Sequence, residues 1–272
     1  MRSRLQCLAV RRGVPSLLLG VLLLAMSPAG AAAEAAKPGA YQEWSGVSPE
    51  QYAACIDLAL REPEAGFDRA IAWRDMGGGA PARHCVTVAL YALGHFVEAA
   101  RRLEELATEG DTLPVTLRTA LLGQAGEAWM AARDYPRAYA TLTSALEITP
   151  DDTMLLLERS LAAAGAESYF EALDDLNRVI DIAPDNADAL AFRAAAFRYL
   201  DSLELASDDV ERALEVDPSH AGALLERGNL RKVQGDAAGA RKDWLKVISL
   251  APESATADAA RVNLEALDVK TP

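Results

Sequence analysis

Cysteine, histidine, basic charge and long apolar runs are all scarce in this sequence. Three cysteines and three histidines occur in 272 residues. Neither type recurs at a metal-ligand spacing, so His84, Cys85 and His95 point to no metal site. Lysine and arginine total 27 against 40 acids, a formal charge of −13. No stripe of basic residues interleaved with aromatics runs along the chain, which argues against nucleic-acid binding. After Met26 no apolar run reaches the ~20 residues that a bilayer span takes. No serine or cysteine lies in a nucleophile motif, so no catalytic residue is assigned and no cofactor is expected. The glycine-rich stretch GGGAPARHC at 77–85 has neither the lysine nor the glycine spacing of a phosphate cradle, and reads as a link between helices.

What is present begins with an export signal. Arg2, Arg4, Arg11 and Arg12 form a basic segment, an apolar run spans 17–26, and Ala31, Ala32 and Ala33 offer a small-residue cleavage site. The apolar core is too short for a membrane anchor, so residues 1–33 read as a secretory signal peptide cut near Ala33. Cys7 precedes the apolar core and does not end it, which argues against a lipoprotein. Cleavage leaves 239 residues, and because the signal carries four arginines and no acid the charge deepens to −17. An exported, periplasmic protein is expected, in the alanine-rich style of Gram-negative envelope proteins. Two cysteines then remain, Cys55 and Cys85. An oxidising compartment favours a disulfide between them; two buried free thiols are the alternative.

The second half of the chain repeats itself. ITPDD, IAPDN, VDPSH and LAPES place Pro150, Pro184, Pro218 and Pro252 34 residues apart. Four units follow, 119–152, 153–186, 187–220 and 221–254. In each, the eighth place holds a small residue (Gly126, Ser160, Ala194, Gly228) and the twentieth an alanine (Ala138, Ala172, Ala206, Ala240). Larger apolar residues recur at helical spacing around them, so each unit reads as two helices. Breaks are expected near Arg133–Asp134, Gly165–Ala166, Asp201–Ser202 and Gly235–Asp236. Each proline ends the second helix, because the residue before it is driven out of helical conformation.

With these places filled, the chain resembles the tetratricopeptide repeat family. Leu122, Leu156, Leu190 and Leu224 at the fourth place agree with it, whereas Ala163 and Arg231 depart from the aromatic expected at the eleventh. The resemblance implies an all-α, right-handed superhelical solenoid of stacked helix-turn-helix repeats, with the first helices lining a concave side. Upstream, residues 47–118 read as degenerate pairs, separated from the regular array by an offset at 114–118. Residues 34–46 read as a flexible leader and 255–268 as a capping helix.

A second register lies inside the repeats. Arg159, Arg193 and Arg227 at the seventh place accompany Asp175, Asp209 and Asp243 at the twenty-third, and the first unit has Ala125 and Thr141 instead. Losing both partners together points to structural salt bridges between the two helices of a unit. The resemblance further implies a binding groove on the first helices, for which Phe192, Tyr199, Leu225, Glu226, Asn229 and Asn263 are the candidate contacts. The expected function is a non-enzymatic interaction module or scaffold of the cell envelope that takes a peptide or protein segment in this groove. The alternatives are a spacer subunit of an envelope assembly or secretion complex, and an enzyme with its site near 73–85.

Overall fold

The computed structural model describes Trp44, residues 48–109 and residues 113–268. The expected signal peptide, and the leader apart from Trp44, lie outside the described residues. Thirteen helices follow one another, with no strand among the described residues. They are α1 (Pro49–Arg61), α2 (Pro63–Asp75), α3 (Gly79–Ala92), α4 (Phe96–Thr108), α5 (Val115–Ala131), α6 (Tyr135–Ile148) and α7 (Thr153–Gly165). Then come α8 (Tyr169–Ile182), α9 (Ala187–Tyr199), α10 (Leu203–Val216), α11 (Ala221–Val233), α12 (Ala237–Leu250) and α13 (Ala255–Asp268). The chain is an all-α solenoid of six helix pairs closed by a single helix.

The recurring prolines act as expected from their chemistry. The residues before them (Thr149, Ala183, Asp217, Ala251) have φ between −131° and −145° and ψ between 71° and 100°, outside the helical region. Two residues after each proline, a side chain caps the next helix. Asp152 accepts from Met154 N and Leu155 N, Asn186 Oδ1 from Ala189 N, His220 Nδ1 from Ala223 N, and Ser254 Oγ from Ala257 N. One five-residue phrase therefore stops one helix and starts another.

The turn inside each pair also keeps register. Arg133, Glu167, Asp201 and Gly235, all at the fifteenth place, have φ of 60°, 63°, 59° and 87°. The second unit therefore turns at Glu167, and Gly165, expected at the break, ends α7. Gly165 is small for another reason: a Cβ there would stand 2.6 Å from the ring of Tyr135. The eighth place is small because the paired helix presses on it; a Cβ on Gly126 would meet Leu142 at 2.6 Å. The alanines of the twentieth place and the apolar residues of the twenty-fourth and twenty-seventh are almost wholly buried. The 114–118 offset is absorbed by lengthening α5 to 17 residues.

Curvature follows from which helices touch. The first helix of each pair packs on its own second helix and touches the first helix of the next pair at every step but that from α3 to α5, most extensively from α1 to α3 and from α9 to α11. Each second helix packs on the first helix of the next pair. Second helices of neighbouring pairs make no such close packing with one another. The first helices therefore form the inner, crowded layer and the second helices the outer one. At the N-terminal end the inner layer is tied covalently: Cys55 on α1 and Cys85 on α3 form a disulfide with Cα atoms 6.2 Å apart.

Candidate partner-binding face

The arginines and aspartates of the inner register are engaged with one another. Arg159 donates from Nε and Nη2 to Asp175 Oδ2 and Oδ1 at 2.9 and 2.6 Å. Arg193 grips Asp209 at 2.7 and 2.7 Å, and Arg227 grips Asp243 at 2.9 and 2.7 Å. All three carboxylates are buried. Each fork ties the two helices of one unit, and two of the arginines reach further. Arg159 Nη1 donates to Thr143 and Arg193 Nη1 to Asn177, on the second helix of the preceding unit. In the first unit, Glu104 of α4 takes the vacant role, accepting from Trp129 Nε1 at 2.8 Å and from the Thr141 hydroxyl. Burial of the carboxylates and bidentate contact make these pairs struts between the helices.

The six candidate contacts fare unequally. Tyr199 is 38% exposed, its ring stacked on that of Tyr169 with centroids 4.8 Å apart. Phe192 is half-buried against the main core. Leu225 is 0% exposed; it packs with Trp244, Val247 and Ala260 beneath the final helix and so does not line the groove. Glu226 is 1% exposed. Its carboxylate receives Arg198 Nε at 2.7 Å, Arg198 Nη2 at 3.3 Å and Asn229 Nδ2 at 2.9 Å. Asn229 Oδ1 in turn accepts from Asn263 Nδ2 at 2.9 Å. A hydrogen-bonded row thus crosses three successive inner helices, α9, α11 and α13, with Tyr199 at its edge beneath the Arg198 guanidinium, 4.4 Å above its ring. Burial alone would lower the Arg198 pKa, but the Glu226 charge and hydrogen bonds outweigh it and hold the group firmly protonated.

Arg198, central to this row, is missing from the six candidates. Its signal is present in the sequence: Arg198 and Glu226 are 28 residues apart, the twelfth place of one unit and the sixth of the next. The same spacing hides the outer stitches. Arg212 donates to the Pro184 carbonyl at 3.4 Å and Lys246 to the Pro218 carbonyl at 3.0 Å, each again 28 residues apart.

Toward the N-terminus the inner row changes character. Tyr52 Oη lies 2.7 Å from His84 Nδ1, and His84 Nε2 lies 2.7 Å from Gln124 Oε1. Burial pushes the His84 pKa down to about 4, against a smaller upward pull from Gln124. The imidazole is therefore neutral. Next along the row, Glu127 of α5 and Glu158 of α7 face each other. Burial pushes Glu127 up to about 7, partly offset by its hydrogen bond to Glu158. Glu158 lies well above the ordinary carboxylate range, through burial first and the neighbouring Glu127 charge second. Among the described residues no group of three metal-ligating side chains gathers, and no helix is long and apolar enough to cross a membrane.

No protein-family model matches the sequence, and no curated protein does. Solved structures do resemble the fold. A tetratricopeptide repeat protein from Parabacteroides merdae is 23% identical with a TM-score of 0.53, over 66% of this chain and 70% of that one. A thermophilic protein of the same repeat type from Thermus thermophilus is 18% identical with a TM-score of 0.54, over 70% and 98%. MamA from Desulfovibrio magneticus is 23% identical with a TM-score of 0.53, over 64% and 95%. With the 34-residue register, the inner and outer helix layers and these likenesses in agreement, the chain has the fold of tetratricopeptide repeat proteins.

Proposed function

We propose that this chain is a non-enzymatic interaction module of the cell envelope, exported to the periplasm, whose inner face binds an extended segment of another protein. One observation carries the reading: the row Arg198–Glu226–Asn229–Asn263 fixes polar side chains across three inner helices before any ligand arrives. Prior ordering of this kind lowers the entropic cost of association. Tyr199, half-exposed beside the row, supplies the aromatic surface on which interface energy tends to concentrate. The disulfide supports an oxidising compartment, and the −17 charge of the processed chain favours a basic partner whose capture weakens with salt.

The test is capture from native periplasm with a Tyr199→Ala/Asn229→Ala variant, compared with Phe170→Ser on the outer layer, where Phe170 is exposed. The inner variant should keep its helical circular dichroism and lose the co-purifying partners; the outer variant should keep them. The reverse pattern would make the array a spacer that binds through its outer helices.

A further inference from the structure

Trp44 belongs to no helix, yet it is buried in the main core, only 8% exposed. Its ring meets two side chains of the inner row, Tyr52 of α1 with centroids 6.4 Å apart and His84 of α3 at 6.2 Å. A residue ahead of the first helix thus lies across the first two inner helices. Its indole is poorly served there: Nε1 is shut off from solvent and has no hydrogen-bond partner. The indoles of Trp129 and Trp244, by contrast, donate to Glu104 and to the Leu225 carbonyl. A buried N–H left so has given up its water with nothing in return.

The seat explains the orphan. Tyr52 Oη and His84 Nδ1 lie 2.7 Å apart, and His84 Nε2 lies 2.7 Å from Gln124 Oε1, so the polar atoms of the row are engaged with one another. What they leave for Trp44 is ring surface, and the seat matches an aromatic side chain that has no donor to satisfy. The seat is also built independently of its occupant. Cys85 follows His84 in the chain, Cys55 stands about one turn beyond Tyr52, and their disulfide fixes α1 against α3. Gln124 holds the sixth place of its unit, the place that Glu226 holds in the row beside Tyr199. The seat is therefore the N-terminal end of the same inner layer that runs on to α13.

We propose that Trp44 is an internal occupant of the partner groove: it closes the N-terminal end of the inner face, and a phenylalanine side chain of the bound segment displaces it from the Tyr52–His84 seat. The proposal deepens the groove reading and rests on it. Displacement returns the indole N–H to water, so the chain recovers a hydrogen bond as Trp44 leaves. Binding at the seat and release of Trp44 are then one event. A segment without an aromatic residue meets a groove closed at this end.

Two measurements on the whole chain test it. In hydrogen exchange followed by NMR, the Trp44 Nε1 proton should be protected at least about tenfold less than the amides of α1 and α3, because the ring leaves its seat while both helices stay folded. Protection equal to that of those amides would make Trp44 a fixed part of the core and overturn the proposal. The binding probe is N-acetyl-phenylalaninamide, followed by the ring resonances of His84, with N-acetyl-leucinamide as the control. Trp44→Ala, with its disulfide and helical circular dichroism intact, should bind the probe at least about tenfold more tightly than the unaltered chain. That is the masking expected of a seat open in roughly one molecule in ten. Trp44→Phe should bind no better than the unaltered chain, since its own ring fills the seat. Equal binding by Trp44→Ala and the unaltered chain, an equal response to the leucine amide, or no saturable shift at His84 would refute the seat. Periplasmic capture separates the two readings. Should the Tyr199→Ala/Asn229→Ala variant lose its partners while Trp44→Ala fails the probe test, the seat falls and the groove stands. Should Trp44→Ala pass it and the inner double variant keep its partners, the seat stands and the α9–α13 row is not the contact.

Discussion

Replacing Arg193 by alanine tests the struts in energetic terms. Asp209 is 4% exposed at its side chain and Arg193 16%, and the two meet through bonds of 2.7 and 2.7 Å. Removing the guanidinium strands a carboxylate between α9 and α10, a change that typically costs about 3–5 kcal/mol. Arg212, 3.6 Å from Asp209 Oδ1 on the exposed side, recovers part of that. The loss of the Asn177 contact at 2.8 Å and of the Phe197 ring under the guanidinium adds a smaller amount. The expected cost is therefore about 3 kcal/mol. Arg227→Ala is the internal control: Asp243 keeps a second arginine, Arg231 Nη1 at 2.6 Å, and its loss should cost only about 1 kcal/mol. Urea unfolding followed by circular dichroism gives the global figure, since urea does not screen charge. Amide exchange in α9 and α10 shows whether the damage stays local, as it does in arrays held by nearest-neighbour contacts. A cycle with Asp209→Ala should return a coupling of about 2 kcal/mol. Replacing both residues by apolar ones, Arg193→Met with Asp209→Leu, should recover most of the loss. If Arg193→Ala costs no more than Arg227→Ala, or the coupling vanishes, the buried pair is not holding the hairpin.

Two further outcomes concern the N-terminal half. Non-reducing peptide mapping of exported protein should recover the Cys55 and Cys85 peptides joined, and reduction should destabilise the first two pairs by about 3–4 kcal/mol for a loop of 30 residues; thiols open to alkylation without reductant would refute it. The pH profile should carry slopes of opposite sign that substitution separates. His84 sits at about 4 against an ordinary 6.5, so folding refuses a proton the unfolded chain takes, and stability drops as pH falls through that window. Glu127 sits at about 7 against 4.5, so the folded chain keeps a proton the unfolded one releases, and stability drops as pH rises through that window. Each is worth at most about 3 kcal/mol, with opposite sign. Glu158, raised chiefly by its own burial, adds a slope of the same sign as Glu127. The double substitution Glu127→Gln/Glu158→Gln removes both, so its urea midpoint should climb between pH 4 and 6.5; a profile parallel to that of the unaltered chain would contradict the assignment.

Most of the helix boundaries are legible in the sequence because the signals that set them are local. A proline, the residue before it and a capping side chain two positions later lie within one phrase of sequence. The arginine–aspartate spacing of 16 is visible too, since both partners belong to one unit and disappear from the first unit together. Reading fails where two units, or an unrepeated element, decide the outcome. Leu225 resembles a groove residue by its place in the unit, but the final helix covers it. Glu226 looks available until Arg198 of the preceding unit reaches it. Gly165 reads as a turn because glycine usually permits one, whereas Arg133, Glu167 and Asp201 make the left-handed turns and Gly165 makes room for Tyr135.

The two helix layers give the array the mechanics of a leaf spring. On the inner side neighbouring first helices touch at every step but that from α3 to α5, and the Arg198–Glu226–Asn229–Asn263 row and the Cys55–Cys85 link act as ties. On the outer side neighbouring second helices stand apart, and single long side chains such as Lys246, reaching the Pro218 carbonyl, stitch one unit to the last. Tightening the arc would compress helices already in contact, while opening it would stretch the ties, so the inner length is held and the outer length is free to vary. The inner face is therefore a ruler of fixed length, and tension along the array is borne by that face.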